Sequence, residues 1–415
     1  MRYLLLLATL VGACKWTDFD DISDEAWVVS TEKPDNDSAS WALAIQRVQR
    51  AGGGGTLAVI GASESLYSEI RYDGRGNDDN GGELNLQQQF SIGNVESQPL
   101  LIADPTLDQV ALVTKSGAAS IAVLSGAGGQ LTIHSVFGPE RPDAATYMIA
   151  PGLDGGAPQP AQTLVAQDDT VFGAFFVDPP NPQVKCKLVA NAASVNARAL
   201  AAVRLNPADT TDDVVVWGAD GQLFIFDGGI FDGDRGGTAC PDATPGDGDN
   251  TGTSAAPLAG PLALPFMPEA GSQILVFGDH FAVLEGHTGN NGGFLALVDL
   301  TTMQLVGAPH TENGLKTAAL LDLNGSLFVL AGYPTNVVDG TIAGEVLVYA
   351  IDTAGGIAGG ASATLHDAQP EGNQAFGRGV AALPYNDKQV IAVAADNEVF
   401  AYFRLDPLYA DQRQR

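Results

Sequence analysis

The chain has 415 residues, of which 45% are apolar and 17% are charged, so it holds ample material for a large hydrophobic core. With 49 acidic and 20 basic residues its net charge is −29, and such a surface repels phosphate groups, which argues against nucleic-acid binding and against electrostatic docking on anionic lipid. Its 50 glycines and 23 prolines exceed ordinary usage but stay below the level typical of disordered chains.

The N-terminus has the features of an export signal. Met1 and Arg2 give a positive start, and residues 3–11 form an apolar run that is too short to cross a membrane. The next residues, VGAC ending at Cys14, resemble the lipobox of bacterial lipoproteins, in which the cysteine is acylated. The resemblance implies a signal peptide over residues 1–13 and a lipid-anchored protein in the bacterial cell envelope. Lys15 follows the cysteine, where lipoproteins retained at the inner membrane usually carry aspartate, so the outer membrane is the expected location. The alternative is an ordinary cysteine just past a conventional cleavage site.

A short apolar segment recurs seven times and defines an internal repeat. The copies lie 51 to 63 residues apart, and several are followed by an alternating strand that ends in aromatic residues. Each copy is apolar on both faces, as expected for a strand buried between neighbouring sheets. One equivalent position in each copy is Val59, Leu112, Val165, Val216, Val276, Leu330 and Val393.

Seven such repeats of short strands predict an all-β fold, a seven-bladed β-propeller over residues 35–405. Residues 14–34 are expected to form a lipidated tether and a possible closing strand. The run Ala26–Ser30 can pair with the strand that ends at Phe403 and so join the two termini. Residues 406–415 are expected to be a C-terminal tail.

Glycine motifs at the ends of the repeats are similar to the FG-GAP repeats of the integrin α-subunit propeller. Units of that family open with Phe-Gly and close with Gly-Ala-Pro. Here Phe376 and Gly377 match the opening, Gly61 and Ala62 match the closing pair, and residues 331–334 (AGYP) are a permuted closing motif. The resemblance implies a propeller of the integrin α N-terminal type.

Members of that family often carry a calcium loop of acidic residues ahead of the buried strand. Here the best match is in the fourth repeat, where Asn206, Asp209, Asp212 and Asp213 precede Val214. Calcium needs about six to eight oxygen ligands, so these residues are a candidate metal site. The alternative is that they are ordinary turn residues whose side chains bond to the local backbone. Apart from this possible calcium, the sequence indicates no cofactor.

The cysteine count agrees with export. If Cys14 carries lipid, Cys186 and Cys240 remain as an even pair, and an oxidising compartment allows them to form a disulfide. Two separate thiols are the alternative, because sequence does not show their proximity. Neither cysteine belongs to a CxxC motif, so metal and redox chemistry receive no support from them.

Common enzyme signatures are absent from the sequence: it has no GxSxG, no HExxH, no Walker loop and no dinucleotide fingerprint. The sequence therefore predicts a non-enzymatic binding or scaffolding protein whose surface loops contact a protein or glycan partner. Its membrane contact would be the lipid anchor alone. The alternative is a secreted hydrolase of polysaccharide or phosphoester, with its site at the mouth of the propeller channel, because 49 acidic residues offer many carboxylate pairs.

Overall fold

The computed structural model describes much of the chain. The described residues are 28–32, 44–49, 55–61, 66–73, 83–91, 100–104, 109–116, 118–125, 131–135, 143–148, 162–167, 170–175, 181–206, 211–231, 254–323, 325–367, 372–385, 388–396 and 399–403. The predicted signal peptide, Cys14 and the tail over residues 406–415 lie outside them. Within the described residues, no helix is long and apolar enough to span a membrane.

Strands make up nearly all of the regular structure in these residues. In the first part of the chain they are β1 (Val28–Glu32), β2 (Ala44–Gln49), β3 (Gly55–Gly61), β4 (Leu66–Asp73), β5 (Glu83–Ser91), β6 (Leu100–Asp104), β7 (Gln109–Ser116), β8 (Ala118–Ser125), β9 (Leu131–Ser135), β10 (Ala144–Met148), β11 (Gln162–Gln167), β12 (Thr170–Phe175), β13 (Asn181–Ala190), β14 (Ala193–Ser194) and β15 (Ala197–Val203). The middle part contains β16 (Asp213–Gly218), β17 (Gln222–Phe226), a short 3-10 helix (Gly228–Phe231), β18 (Ser254–Ala255), β19 (Ala259–Ala263), β20 (Gln273–Phe277), β21 (Phe281–His287), β22 (Gly292–Asp299) and β23 (Gln304–Asn313). The last part contains β24 (Thr317–Leu323), β25 (Ser326–Tyr333), β26 (Val337–Val338), β27 (Thr341–Ile342), β28 (Glu345–Asp352), β29 (Gly356–Ile357), β30 (Ala363–Leu365), β31 (Gly379–Tyr385), β32 (Lys388–Ala394) and β33 (Val399–Phe403).

These strands form, within the described residues, seven sheets of at least four strands and one two-stranded ribbon, β26-β27. We number the sheets I to VII along the chain. Their strand orders are β2-β3-β4-β5 in sheet I, β6-β7-β8-β9 in sheet II, β10-β11-β12-β13-β14 with β18 beside β13 in sheet III, β15-β16-β17-β19 in sheet IV, β20-β21-β22-β23 in sheet V, β24-β25-β28-β29 with β30 beside β28 in sheet VI, and β31-β32-β33-β1 in sheet VII. The prediction of an all-β chain is confirmed.

The first strands of consecutive sheets contact each other. β2 contacts β6, and the series continues through β10, β15, β20, β24 and β31, which contacts β2 again. Each sheet therefore meets both of its neighbours through its first strand.

The N-terminal strand belongs to the last sheet. β1 pairs antiparallel with β33, with Val28 opposite Tyr402 and Glu32 opposite Val399, and the register shifts once between Val28 and Ser30. The described part of the predicted run, Val28 to Ser30, forms the expected pairing, and Ala26 and Trp27 lie outside the described residues. The pairing ties the two ends of the described chain together.

The recurring apolar segment is the second strand of its sheet in six of the seven copies. The second strand is apolar because it is covered on both faces. In β16, for example, all six residues are buried. In the fifth copy, however, the segment that contains Val276 is β20, the first strand of sheet V, and most of its residues are only half-buried. The second strand of that sheet is β21, which is buried from Ala282 to His287. The prediction is wrong at this copy because Glu285 and His287 interrupt the apolar pattern of β21.

The hydrophobic core is divided among the spaces between consecutive sheets. Fully buried members include Leu164, Val216 and Phe226 between sheets III and IV, Trp217 and Phe294 between sheets IV and V, Val283 and Val329 between sheets V and VI, and Leu330, Phe376 and Val393 between sheets VI and VII. A sheet buried on both faces needs a neighbour on each side, so these sheets stabilise one another.

Candidate functional site

A pocket of about 440 Å³ opens where sheets IV and V meet. Its polar lining comes from four places in the chain: Asn206 follows β15, Asp213 begins β16, Asp227 follows β17, and Thr301 lies in the turn between β22 and β23. All four residues lie at strand ends, next to turns or loops. Because antiparallel strands reverse direction at each turn, these strand ends lie along one edge of the two sheets. We call this cavity the IV–V pocket.

Apolar side chains form the rest of the IV–V pocket. Ile225 and Leu300 are each only 1% exposed, whereas Leu258 is 62% exposed. The backbone N–H of Leu258 donates a 2.7 Å hydrogen bond to the carbonyl oxygen of Ile225, which holds the exposed leucine beside the end of β17. The pocket thus combines carboxylates with aliphatic surface.

Local hydrogen bonds fix the turns that carry the polar side chains. Asp227 Oδ1 accepts a 2.8 Å hydrogen bond from the backbone N–H of Gly229. In the next turn, Asp299 Oδ1 accepts the hydroxyl of Thr301 at 2.6 Å and its backbone N–H at 2.9 Å. Burial acts to raise the pKa of Asp299, but the hydrogen bonds from Thr301 and Thr302 outweigh it, and the pKa is lowered from its ordinary value.

The structure brings two of the four predicted calcium ligands together. Asn206 and Asp213 both line the IV–V pocket, whereas Asp212 pairs with Arg204, whose Nη2 lies 3.0 Å from Asp212 Oδ1. Asp209 lies outside the described residues. In the described part of the chain no group of three or more His, Cys, Asp or Glu side chains could hold a metal ion. Calcium binding here stays a prediction.

Sequence reasoning missed Asp227 and Thr301 as pocket residues. Asp227 follows the aromatic strand QLFIF, and Asp-Gly-Gly after a strand is an ordinary turn signal. Only the packing of sheet IV against sheet V brings it near Thr301, 74 positions later. No local pattern in the sequence contains that information.

Cys186 lies in β13 and is fully buried in the core between sheets III and IV. It is disulfide-bonded. Cys14 and Cys240 lie outside the described residues. The pairing of Cys186 with Cys240 therefore stays a prediction.

A buried polar pair lies in β21. Glu285 is 0% exposed and His287 is 5% exposed, and Glu285 Oε1 lies 3.0 Å from His287 Nδ1. The second carboxylate oxygen, Oε2, has no hydrogen-bond partner among the described residues. Burial acts to lower the pKa of His287, but the hydrogen bond and the negative charge of Glu285 outweigh it, and the pKa is raised from its ordinary value of 6.5.

A small apolar surface projects from sheet VI. The ribbon β26-β27 lies in the connection between β25 and β28, and Val337 pairs with Ile342 across it. Val337 is 62% exposed and Ile342 is 51% exposed. We call these two residues the ribbon pair.

Comparison with known proteins identifies the architecture. No family model and no curated protein matches the chain. Among solved structures, it resembles a chain of the Chaetomium thermophilum Polycomb Repressive Complex 2 bound to GSK126, at 11% identity and a TM-score of 0.57 over 92% of this chain and 98% of that one. The chain has a β-propeller fold. Saccharomyces cerevisiae Sqt1 is similar at 11% identity and a TM-score of 0.53, over 91% of this chain and 99% of Sqt1.

A third propeller, BBS1N in complex with ARL6DN and soaked with lead, is similar at 9% identity and a TM-score of 0.50, over 92% of this chain and 98% of that one. At these identities the likeness concerns the fold. The β-propeller part of the FG-GAP prediction is confirmed, and the FG-GAP family and the lipobox stay predictions.

Proposed function

We propose that this protein is a binding or scaffolding propeller with seven blades, held by lipid in the bacterial cell envelope. Sheets I to VII would be the blades. The closed series of contacts between first strands supports that number, and the pairing of β1 with β33 supplies the closing strand of the last blade. Propellers leave only short, protected strand edges, so such a ring is a stable platform for surface loops.

The ribbon pair is the observation that carries the proposal. Two large apolar side chains lie side by side on a short ribbon, and each exposes more than half of its surface. Burying them in a partner's surface gains roughly 25 cal/mol per Å² of apolar area. Exposed apolar side chains that lie together, rather than singly, mark candidate protein interaction sites. The solved propellers that the chain resembles include a subunit of a complex and BBS1N bound to ARL6DN, which supports binding over hydrolysis.

Affinity capture from envelope extract tests this function. The chain from Cys14 onward, made soluble with Cys14→Ser, is the bait, and a second bait carries Val337→Asp and Ile342→Asp. The matched control carries Gln304→Asp and Thr311→Asp, which add the same two charges at exposed positions of β23. We expect a protein that the first and control baits retain and the ribbon variant loses. Equal capture by all three baits would refute the ribbon pair as the binding surface.

The lipid anchor has a separate test. In cells given radiolabelled palmitate, we expect the wild-type chain to take up label and fractionate with the membranes, because acyl chains contribute about 0.8 kcal/mol of membrane affinity per buried methylene. Cys14→Ser should take up no label and become soluble, whereas Cys240→Ser should still be labelled. Label in the Cys14→Ser variant would show that the VGAC tetrad is not a lipobox.

A further inference from the structure

The lining of the IV–V pocket combines acidic and aliphatic side chains around one cavity. Asp213 and Asp227 contribute carboxylates, and Ile225, Leu258 and Leu300 contribute apolar surface. We propose that this pocket is a second binding surface and takes an arginine or lysine side chain of a protein ligand, with an adjacent apolar residue packed on Leu258. The pocket lies at the opposite strand ends from the ribbon pair, because it forms where β15 ends and β16 begins, whereas the ribbon joins the end of β25 to the start of β28. The proposal rests on the binding function proposed above and names the chemistry that a ligand of this second surface must present.

The carboxylates supply the charge complementarity. Asp213 is only 8% exposed, so a cation near it is screened less by water than one at an open surface. Asp227 is exposed at the pocket and lies nearer to solvent. The chain's net charge of −29 adds a long-range attraction for a basic segment, which speeds the encounter.

The aliphatic residues of the lining favour a cation that carries a hydrocarbon stem. Arginine and lysine carry three or four methylenes between the backbone and the charge, and these stems pack along apolar surface while the charged head reaches polar groups. Ile225 and Leu300 give a closed apolar wall, and Leu258 gives an exposed one. A small inorganic cation would gain nothing from these side chains.

The pocket lining also offers fewer side-chain oxygen ligands than calcium needs. Of its described residues, two carboxylates, one amide and one hydroxyl contribute side-chain oxygens, whereas calcium takes about six to eight oxygen ligands. The aliphatic side chains fill the remaining lining. The site thus matches an amphipathic organic cation better than a bare metal ion.

The pocket is held in shape before a ligand arrives. Asp227 is oriented by the Gly229 N–H, and the turn that carries Thr301 is fixed by Asp299. Arg204, the basic residue at the end of β15, is paired with Asp212. A preformed site loses little conformational entropy on binding, so more of the contact energy remains as affinity.

Binding of two peptides to the full chain tests the proposal. The probe is a fluorescein-labelled hexapeptide with a central Leu-Arg pair between glycine and serine, and its control replaces the arginine with neutral citrulline. Anisotropy titrations at low salt should show that the arginine peptide binds about ten-fold more tightly than the citrulline peptide. Asp227→Asn, which keeps the oxygen that accepts the Gly229 N–H, should weaken binding of the arginine peptide about ten-fold, and Asp213→Asn should do the same.

Matched variants separate the pocket from the general negative charge. Asp352→Asn changes the net charge equally and also has a backbone-bonded Oδ1, with the Ala354 N–H at 2.9 Å, but it lies outside the pocket lining. It should leave the affinity within two-fold. Leu258→Ser should weaken binding, whereas Met267→Ser, at a side chain 67% exposed outside the lining, should not.

Several outcomes would overturn the proposal. Equal binding of the two peptides, or an equal loss in the Asp227→Asn and Asp352→Asn variants, would show attraction by overall charge alone. Calcium alone raising the melting temperature of the wild type but not of Asp213→Asn would assign the pocket to the metal. If Asp227→Asn and Asp213→Asn bind the arginine peptide as tightly as the wild type, the pocket assignment fails while the scaffolding function stands. If the peptide results hold but envelope extract yields no partner, the scaffolding function fails instead.

Discussion

Replacing Gly332 with alanine is expected to lower the free energy of unfolding by about 1–3 kcal/mol or more, because an added methyl group overpacks a contact between two backbones. A Cβ at this position would clash with the carbonyl group of Gly377 and lie 2.8 Å from Cγ2 of Thr317. The oxygen of Gly377 belongs to the main chain of the segment leading into sheet VII, so it cannot rotate away as a long side chain would.

Urea unfolding of the wild type, Gly332→Ala and Gly359→Ala measures the effect. Gly359 is the matched control, since a Cβ there meets no atom within 4 Å. Gly359→Ala should stay within about 0.5 kcal/mol of the wild type, or gain slightly from reduced unfolded-state entropy. Similar stabilities for the two variants would contradict a close approach between sheets VI and VII at Gly332.

This contact explains why two sequence motifs contain glycine. Gly332 belongs to the segment AGYP, and Gly377 belongs to the Phe-Gly pair. In the structure the first motif ends β25 of sheet VI, and the second precedes β31 of sheet VII. Phe376 is fully buried, and its backbone forms a β-bridge with Gly344. The glycines are therefore required where neighbouring sheets approach each other, whichever propeller family the chain belongs to.

The repeat was predictable because burial on both faces leaves a strong local signal. β16 reads DVVVWG and β25 reads SLFVLAGY, and runs of this kind mark the second strand of a sheet covered on both sides. β21 carries a weaker signal, because Glu285 and His287 occupy buried positions in it. An apolar pattern identifies only those buried strands that contain no paired polar side chains.

The candidate site was predictable only in part, for a different reason. Asn206 lies in the connection between the paired strands β15 and β16, and Asp213 is the first residue of β16, so one local acidic pattern points to both. Asp227, Leu258 and Thr301 join them through the packing of two sheets. That packing depends on side chains distributed along both sheets, and a window of sequence does not contain it.

Removing the imidazole of His287 is expected to destabilise the protein by about 3–5 kcal/mol, the usual cost of leaving a buried charge without its partner. In His287→Ala the carboxylate of Glu285 would remain 0% exposed and would lose the contact at 3.0 Å, while its Oε2 already has no hydrogen-bond partner within the described residues. Replacing both residues, as in Glu285→Met with His287→Leu, should restore much of the stability, because an apolar pair needs no compensation. If the double variant is as unstable as His287→Ala, an unpaired buried carboxylate is not the cause of the loss.

The same pair should make stability depend on pH in a definite direction. Burial and the positive charge of Lys316 lower the pKa of His287, the hydrogen bond and charge of Glu285 and the charge of Glu269 raise it, and the net pKa lies above 6.5. The folded state therefore binds the proton more tightly than the unfolded state. The stability that protonated His287 contributes is fully present below pH 6.5 and is lost as the pH rises through the pKa of His287 in the folded state.

Urea unfolding at pH 6 and at pH 8.5 measures this contribution, with Glu285→Gln as the comparison because glutamine keeps the shape and removes the charge. The wild type should lose more stability than Glu285→Gln between the two pH values, since the variant lacks the group that raises the pKa of His287. The comparison cancels the titration of groups far from β21, which both proteins share. A wild type that gains stability relative to Glu285→Gln over this range would mean that His287 is held neutral in the folded state, and a raised pKa for His287 would be wrong.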